Sequence, residues 1–437
     1  MFRFTKRRTA IAAGAITGAL ALSACAGGGG GGGAETLDPN EEVTLDFAFW
    51  GNDVRAAMYD EAIAAFEEEY PNVTVNSSFL GFPEFWEKRQ IEATSGGLPD
   101  VMQFDYSYLR QYADNGLLLD LGPYLGSGID TEPLAQNILD IGVVNDTTYG
   151  ITTSTNAWGM YLNPKLLEEI GVEPYEGGGT YEDYEAWMAE VTEAAEEQGV
   201  EAWGGTDYTS RIQNFELWLR AQGEDLFTEE GEPNFTQEQL VEFWELGSDI
   251  RENGTVIPGQ RLEEVYPLSG FDSALTASEL TWDNFGAGYL GNLGEEYTEL
   301  GLVAPPSAEE GAQDLYLKPS MLHAIAANTD NPEAAVALLD FLVNAPETGE
   351  AFGTNRGLPA SQTQLEGAEL DPLSQQIADY EASIADRLGD APPVPIVGYG
   401  TLEEKFRVLG VDLNLGATTP EEAATEFFNE MDVVLSQ

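Results

Sequence analysis

Cysteine and histidine are almost absent from this chain, which has one of each, Cys25 and His323, among 437 residues. A lone cysteine excludes an intrachain disulfide, so the fold depends on burial of the 43% of residues that are hydrophobic. Zinc sites built from several histidines and cysteines are also excluded, and no partner for a Ser-His-Asp triad is evident. Gly-Lys-Ser/Thr never occurs, and the one glycine run follows no strand, so we expect no cofactor. His323 stands in the apolar run MLHAIAA, which predicts a buried strand.

Positive charge is scarce as well. The chain has 18 lysines and arginines against 77 aspartates and glutamates, a formal net charge of −59. The electrostatic field of so negative a protein repels nucleic acid and anionic lipid, so we expect neither as a partner. The acidic residues are spread along the chain without an Asp-x-Asp-x-Asp-Gly loop, which favours a solvated surface over a calcium site. Carboxylates are so numerous that counting them does not exclude a catalytic pair of the glycosidase type. Only the sequence context of these residues argues against such a pair.

The first 33 residues read MFRFTKRRTAIAAGAITGALALSACAGGGGGGG. Basic residues precede the apolar run Ala10–Leu22, which has the length of a signal-peptide core and is too short for a membrane span. The next residues, Leu22-Ser23-Ala24-Cys25, resemble the lipobox of bacterial lipoproteins, in which the cysteine is lipidated. The alternative is an ordinary secretory signal with an incidental cysteine. The sequence therefore predicts a signal peptide over 1–24, and an acylated Cys25 with a glycine-rich linker over 25–42.

The rest of the chain alternates between strand and helix patterns. The segment VTLDFAFW at 43–50 alternates as a strand does, and Asp53 is positioned to cap the helix that follows. Further strands are predicted at 73–76 and 100–104, and further helices at 83–94 and 107–115. Asn331-Pro332-Glu333 and the capping box Thr419-Pro420-Glu421-Glu422 predict the starts of two later helices. This alternation predicts an α/β class with a largely parallel sheet.

Several of the eight tryptophans stand beside polar residues at predicted strand ends or loops. The places are Trp50-Gly51-Asn52, Asn156-Ala157-Trp158, Ala202-Trp203-Gly204-Gly205 and Thr281-Trp282-Asp283-Asn284. An indole face stacks on the apolar face of a sugar ring, while Asp and Asn bond to its hydroxyls, so these places predict a sugar pocket. The competing interpretation is that each tryptophan packs in a core. Trp187, Trp218 and Trp244 are predicted to be core residues, and Trp86 is left open between core and cleft.

Four segments of the chain carry a family resemblance. They are Leu98–Leu121 (LPDVMQFDYSYLRQYADNGLLLDL), Tyr149–Val172 (YGITTSTNAWGMYLNPKLLEEIGV), Trp282 within ELTWDN, and Lys318–Glu347. They resemble extracellular solute-binding proteins of bacterial ABC transporters, in the carbohydrate-binding family related to maltose-binding protein. The turn Gly357-Leu358-Pro359-Ala360 is similar to one that recurs in the family. Thr152 departs from the usual proline, and Pro164 is an insertion that a helix start tolerates.

The resemblance implies the two-lobe, type II fold of periplasmic binding proteins. Each lobe would be a mostly parallel sheet flanked by helices, with the ligand cleft between the lobes. Lobe 1 would comprise 43–153 and 319–354, and lobe 2 would comprise 154–318 and 355–437. The implied chain crossings lie near Thr152–Thr155, Leu317–Ser320 and Thr354–Leu358. Closure about these crossings would present a new surface to a membrane permease.

The resemblance also implies a binding site without catalytic or metal-ligating residues. The implied ligand-binding residues are Trp50, Asn52, Phe82, Glu84, Asp105, Asn156, Trp158, Trp203, Tyr208, Trp282, Asp283 and Arg356. The protein would be a monomer that binds carbohydrate, delivers it to ABC permease subunits, and is held at the outer face of the bacterial cell membrane by its lipid alone. Two alternatives stay open: a lipid-anchored secreted carbohydrate hydrolase, and a binding protein that feeds a sensor.

Overall fold

The computed structural model describes Leu37 and residues 41–436. The predicted signal peptide, the lipobox with Cys25 and most of the glycine-rich linker lie outside the described residues. In the part that is described, no helix combines the length and the apolar character needed to cross a membrane.

Ten strands and seventeen α-helices are assigned in that part of the chain. The strands are β1 (Val43–Trp50), β2 (Val73–Leu80), β3 (Val101–Phe104), β4 (Val143–Val144), β5 (Thr147–Thr148), β6 (Gly150–Leu162), β7 (Ser278–Trp282), β8 (Gly301–Val303), β9 (Leu317–Ile325) and β10 (Leu358–Pro359). The helices are α1 (Asp53–Glu69), α2 (Phe82–Ser95), α3 (Tyr106–Asp114), α4 (Gln136–Asp140), α5 (Pro164–Ile170), α6 (Tyr181–Gln198), α7 (Ile212–Arg220), α8 (Gln237–Leu246), α9 (Ser248–Glu252), α10 (Gly259–Val265), α11 (Gly286–Leu293), α12 (Pro332–Asn344), α13 (Pro346–Phe352), α14 (Gln362–Gly367), α15 (Pro372–Ser383), α16 (Tyr399–Asn414) and α17 (Pro420–Leu435).

The main sheet has the order β10-β6-β9-β3-β1-β2, and β7 and β8 pair with β6. The expectation of largely parallel sheets is wrong beyond β2-β1-β3, where both pairings are parallel. β9 runs antiparallel to β3 and to β6, and β7, β8 and β10 run antiparallel to β6. β6 and β9 are neighbours in the sheet, and the chain runs through them in opposite directions, so the middle of the sheet is antiparallel.

Two large hydrophobic cores lie on either side of these central strands. The first collects β1, β3, α1, α12 and their neighbours, and the second collects α7, α8, α16 and α17 with their neighbours. All 13 residues of β6 are buried; Ile151 belongs to the first core and Ala157 to the second. Leu317, where β9 begins, packs against both cores. β6 and β9 therefore connect the two cores directly.

Several predicted element boundaries change in the structure. Asn52, not Asp53, caps α1, because its Oδ1 accepts from the backbone N–H groups of Val54 and Arg55, both at 3.1 Å. β2 extends to Leu80 because it stays paired with β1 along its whole length. The predicted helix start at Pro332 is confirmed. At α17, the Thr419 side chain accepts from the Glu422 N–H at 3.3 Å, which is the threonine half of the predicted capping box.

The buried residues singled out from the sequence have mixed outcomes. Trp218 and Trp244 lie in the second core as predicted, whereas Trp187 is only half-buried. Trp86 is buried in the first core and stacks on Tyr108, with ring centroids 3.8 Å apart. His323 is fully buried in β9 as predicted, with Nε2 3.3 Å from the Tyr59 hydroxyl oxygen. Burial, reinforced by the charge of Arg356, holds the His323 pKa well below its usual value.

Candidate functional site

A cavity of about 1040 Å³ lies where β6, β9 and β10 run together between the two cores. Its lining comes from both sides of this junction. The α3 start (105–108) and Arg55 line it from the first core, and segments 371–377 and 395–403 line it from the side of the second. The junction itself contributes Asn156 and segments 318–321 and 354–358. We refer to this cavity as the main cleft.

The floor of the main cleft is held by hydrogen bonds among the crossing segments. Thr155 on β6 is in register with Pro319 on β9 and with Leu358 on β10. The hydroxyl groups of Ser154 and Ser320 both bond to the Arg356 carbonyl. Gly357 has a φ of +104°, and a Cβ there would lie 3.0 Å from the Thr155 carbonyl oxygen. These three crossings therefore form one hydrogen-bonded unit at the base of the cleft.

Two smaller cavities, of about 60 Å³ and 410 Å³, adjoin the main cleft and share Glu403 with it. Trp282 lines both smaller cavities and is half-buried. Its ring centroid lies 5.1 Å from that of Trp158 and 6.1 Å from that of Tyr316, both edge to face. The Lys318 Nζ sits 4.9 Å from the centre of the Trp282 ring. These three aromatic rings therefore line the two side cavities, and Lys318 lies both over the Trp282 ring and in the lining of the main cleft.

The structure brings together five of the twelve predicted ligand-binding residues. Asp105, Asn156 and Arg356 line the main cleft, while Trp158 and Trp282 line the adjoining cavities. Within this set, Trp158 is almost fully buried and its indole N–H donates to Asn214 Oδ1 at 2.8 Å. Trp158 therefore supports Trp282 more than it offers a free face.

Four predicted residues, Trp50, Asn52, Phe82 and Glu84, lie at the end of β1 and the start of α2 and line none of the three cavities. Trp50 and Phe82 contact each other edge to face at 5.4 Å. The Asn52 amide is occupied in capping α1, and Glu84 is exposed in the first turn of α2. Local helix chemistry explains these polar residues without a ligand.

Three more predicted residues, Tyr208, Trp203 and Asp283, also lie outside the lining of the three cavities. Tyr208 is buried, stacks on Tyr181 at 4.7 Å, and donates to Glu185 Oε1 at 2.7 Å. Trp203 lines none of the three cavities. The glycine beside it serves close packing, because a Cβ on Gly204 would lie 2.4 Å from the Met188 Cα. Asp283 is fully buried.

The profile of the family described as bacterial extracellular solute-binding protein matches residues 51–348. This chain belongs to that family. Its fold is similar to an extracellular solute-binding protein family 1 member from Alicyclobacillus acidocaldarius, with 26% identity, a TM-score of 0.78, and coverage of 92% of this chain and 100% of the other. It is also similar to a periplasmic oligogalacturonide binding protein from Yersinia enterocolitica (19% identity, TM-score 0.76, coverage 90% and 99%). A third similar structure is the GacH receptor of Streptomyces glaucescens (20% identity, TM-score 0.62, coverage 91% and 99%).

The α/β, two-lobe fold predicted for this solute-binding protein is confirmed by these similarities. The family is one of binding proteins that act outside the cytoplasm. Among the residues that the structure describes, no cluster of three or more His, Cys, Asp or Glu side chains is arranged to hold a metal ion.

The solute-binding protein carries a buried pair of carboxyl groups behind the cleft floor. Asp283 Oδ2 accepts from the Ala157 N–H at 2.9 Å, and Glu381 on α15 accepts from the Thr155 hydroxyl at 3.0 Å. Burial raises the pKa of Asp283 to about 7, and burial together with the charge of Asp283 raises the pKa of Glu381 well above its usual value. Asp283 Oδ1 has no hydrogen-bond donor among the described residues. Because two adjacent buried carboxyls do not both ionise readily, we expect one of the pair to hold a proton near neutral pH.

Sequence reasoning missed several cleft residues, notably Arg55, Tyr106, Lys318, Tyr399 and Glu403. They lie in four separate stretches of the chain, so no local motif contains them. One signal was available for Arg55 and Lys318, because lysine and arginine are rare in this chain and each position is informative.

Proposed function

We propose that this protein is the substrate-binding component of an ABC importer, capturing an oligosaccharide in the main cleft and delivering it to membrane permease subunits. The observation that carries the proposal is the cleft itself. Its volume of about 1040 Å³ slightly exceeds the ~300–1,000 Å³ typical of small-molecule sites, which favours a ligand of several sugar rings. Trp282 and Tyr316 supply apolar ring surface in a side cavity, and Asn156 and Asp105 supply hydrogen-bonding groups in the adjoining main cleft, the two kinds of contact that sugar rings require.

The similar structures support carbohydrate as the ligand class. The Yersinia protein is an oligogalacturonide binder, and the Streptomyces receptor was solved in complex with acarbose and an acarbose homolog. We take lobe 1 as 43–153 with 319–354 and lobe 2 as 154–318 with 355–437. The two hydrophobic cores support this division except at Val394, which lies in the first core, and at α14, whose Gln364 donates to the Leu342 carbonyl of α12. We further propose that the lobes close on the ligand about β6, β9 and β10, as hinged binding proteins do.

Closure of the two lobes on a bound sugar can be measured in solution. A saturating sugar should reduce the radius of gyration in small-angle X-ray scattering and raise the apparent stability by RT ln(1 + [L]/Kd), ~2.7 kcal/mol at 100 Kd. The sugar should be recovered chemically unchanged after long incubation. A bound sugar that leaves the scattering curve unchanged argues against closure, and chromatographic detection of cleaved sugar would favour the hydrolase alternative.

A gene deletion in the source cells distinguishes a role in transport from a role in sensing. Deleting the gene should abolish uptake of the labelled sugar if the protein feeds an importer. Uptake that persists while sugar-induced gene expression is lost would favour the sensor alternative.

We also propose that Cys25 is acylated and tethers the mature protein to the outer face of the cell membrane. Cys25→Ser should then abolish lipid labelling and leave the protein unprocessed or released, because the thioether to diacylglycerol cannot form. Metabolic labelling with a fatty acid and phase separation in detergent measure this. A Cys25→Ser protein that still incorporates label and enters the detergent phase would contradict lipidation at Cys25.

A further inference from the structure

The rare positive charges of this protein are not distributed evenly. Of its 18 lysines and arginines, four precede Cys25, which leaves 14 in the rest of the chain. Ten of these 14 form an ion pair with a carboxylate in the described residues. The four that form none there are Arg55, Arg110, Lys318 and Arg356. Since acidic residues outnumber basic ones 77 to 18, a cation without a carboxylate partner needs an explanation.

Three of these four cations, Arg55, Lys318 and Arg356, line the main cleft. The fourth, Arg110, is satisfied by backbone carbonyls, with Nη1 2.7 Å from the Glu229 oxygen and Nη2 3.2 Å from the Val394 oxygen. The cations that lack a strong acceptor are therefore gathered at the site where the ligand is proposed to bind.

Arg55 and Arg356 form a pair with weak hydrogen bonding. Arg55 reaches the Trp50 carbonyl and Asn355 Oδ1, both at the long distance of 3.4 Å. Arg356 is 4% exposed, its Nη1 lies 3.4 Å from the Tyr59 hydroxyl, and its Nε has no partner among the described residues. The guanidinium of Arg356 stacks at 3.8 Å on the Phe352 ring, which fixes its plane. Burial lowers the pKa of Arg55, and the nearby charge of Arg356 lowers it further, so the two cations repel each other.

The carboxylates of the main cleft do not neutralise this pair. Its three acidic lining residues are Asp105, Asp371 and Glu403. Asp105 and Asp371 cap α3 and α15, accepting from the N–H groups of Ser107 at 2.9 Å and Ser374 at 2.8 Å. Glu403 accepts from the Gln213 amide at 2.6 Å. Each carboxylate thus has a local partner, and the two arginines have none of comparable strength.

We propose that the main cleft binds an acidic oligosaccharide, with an anionic substituent of the sugar held between Arg55 and Arg356 and a second contact from Lys318. This inference rests on the proposed carbohydrate-binding function and narrows its substrate class. Planar guanidinium groups match the paired oxygens of a carboxylate or a sulfate, and an anion placed between two arginines removes their mutual repulsion. Lys318 lines both the main cleft and the side cavity that contains Trp282, so it connects the proposed anion site with the aromatic ring.

The central comparison is between trigalacturonate and its methyl ester, which differ in charge but little in shape. Isothermal calorimetry on the purified full-length protein would use trigalacturonate, its methyl ester, a sulfated carrageenan oligosaccharide and maltotriose. We expect an acidic probe to bind at least about tenfold more tightly than its neutral counterpart, which corresponds to ~1.4 kcal/mol. Trigalacturonate against carrageenan distinguishes carboxylate from sulfate as the source of the charge.

Variants test whether the cleft cations cause the preference. Arg55→Gln and Lys318→Gln should each reduce the preference for the acidic probe, while Lys88→Gln, which removes the same charge from an exposed residue on α2, should leave it unchanged. Thermal unfolding checks that each variant is folded. Tight binding of neutral saccharides without preference for acidic ones would overturn this inference and leave the proposed function standing. Binding of no saccharide, acidic or neutral, would overturn both.

Discussion

Replacing Trp282 by alanine should weaken oligosaccharide binding by tens-fold. The indole lines both cavities that adjoin the main cleft and is held edge to face by Trp158 and Tyr316. If stacking removes ~100 Å² of ligand and protein apolar surface from water, at ~25 cal/mol per Å², the ring contributes ~2.5 kcal/mol. Each 1.4 kcal/mol is about a factor of ten in Kd, which gives the expected size. Calorimetric titration with a sugar that the wild type binds measures the effect.

The matched control is Trp187→Ala. Trp187 is also half-buried, but it lies on α6, and its indole N–H donates to the Glu173 carbonyl at 3.0 Å, outside the cleft. This variant should lose stability and keep its affinity. Normal binding by Trp282→Ala would make Trp282 a packing residue like Trp187. If Trp282→Ala does not fold, Trp282→Phe tests the same contact. It retains an aromatic face and should bind with intermediate affinity.

The sequence predicted the fold class because its strongest patterns are local. The alternation in β1 and the proline at the start of α12 depend only on neighbouring residues, and both elements form where expected. The sheet direction was misjudged because it depends on how distant segments meet. β6 pairs with β9 across more than 150 residues, and nothing in either strand alone reveals that this pairing is antiparallel.

The site was harder to predict than the fold for a related reason. In the sequence, a tryptophan near Asn or Asp looks the same whether the polar residue binds a ligand or caps a helix. At Trp50 the neighbouring Asn52 is used as a cap, whereas at Trp282 the ring reaches the side cavities. The cleft cations belong to α1, β9 and the segment after α13, so only the folded chain brings them together.

The stability of this protein should fall as the pH rises from about 4 to about 7, and the Asp283–Glu381 pair should account for part of that fall. Burial raises the pKa of Asp283 from 3.8 to about 7, so between those values the folded state holds a proton that the unfolded state has released. Such a group stabilises the fold fully below its unfolded pKa, and the stabilisation is lost as the pH rises through its folded pKa. Each pKa unit is worth ~1.4 kcal/mol, so the pair contributes on the order of a few kcal/mol.

Asp283→Asn isolates this contribution. The asparagine amide is neutral at every pH, can still accept from the Ala157 N–H, and can donate to the Glu381 carboxylate. Thermal unfolding at pH 5 and pH 8 should therefore show a smaller drop in Tm for Asp283→Asn than for the wild type. The control is Asp183→Asn at the exposed start of α6, where hydrogen bonds from Thr180 lower the pKa of Asp183. Asp183 is ionised in both states from pH 5 to pH 8, so its variant should keep the wild-type slope. Equal slopes for Asp283→Asn and the wild type would show that the pair does not titrate in this range, and that the field of the many other carboxylates alone sets the pH dependence.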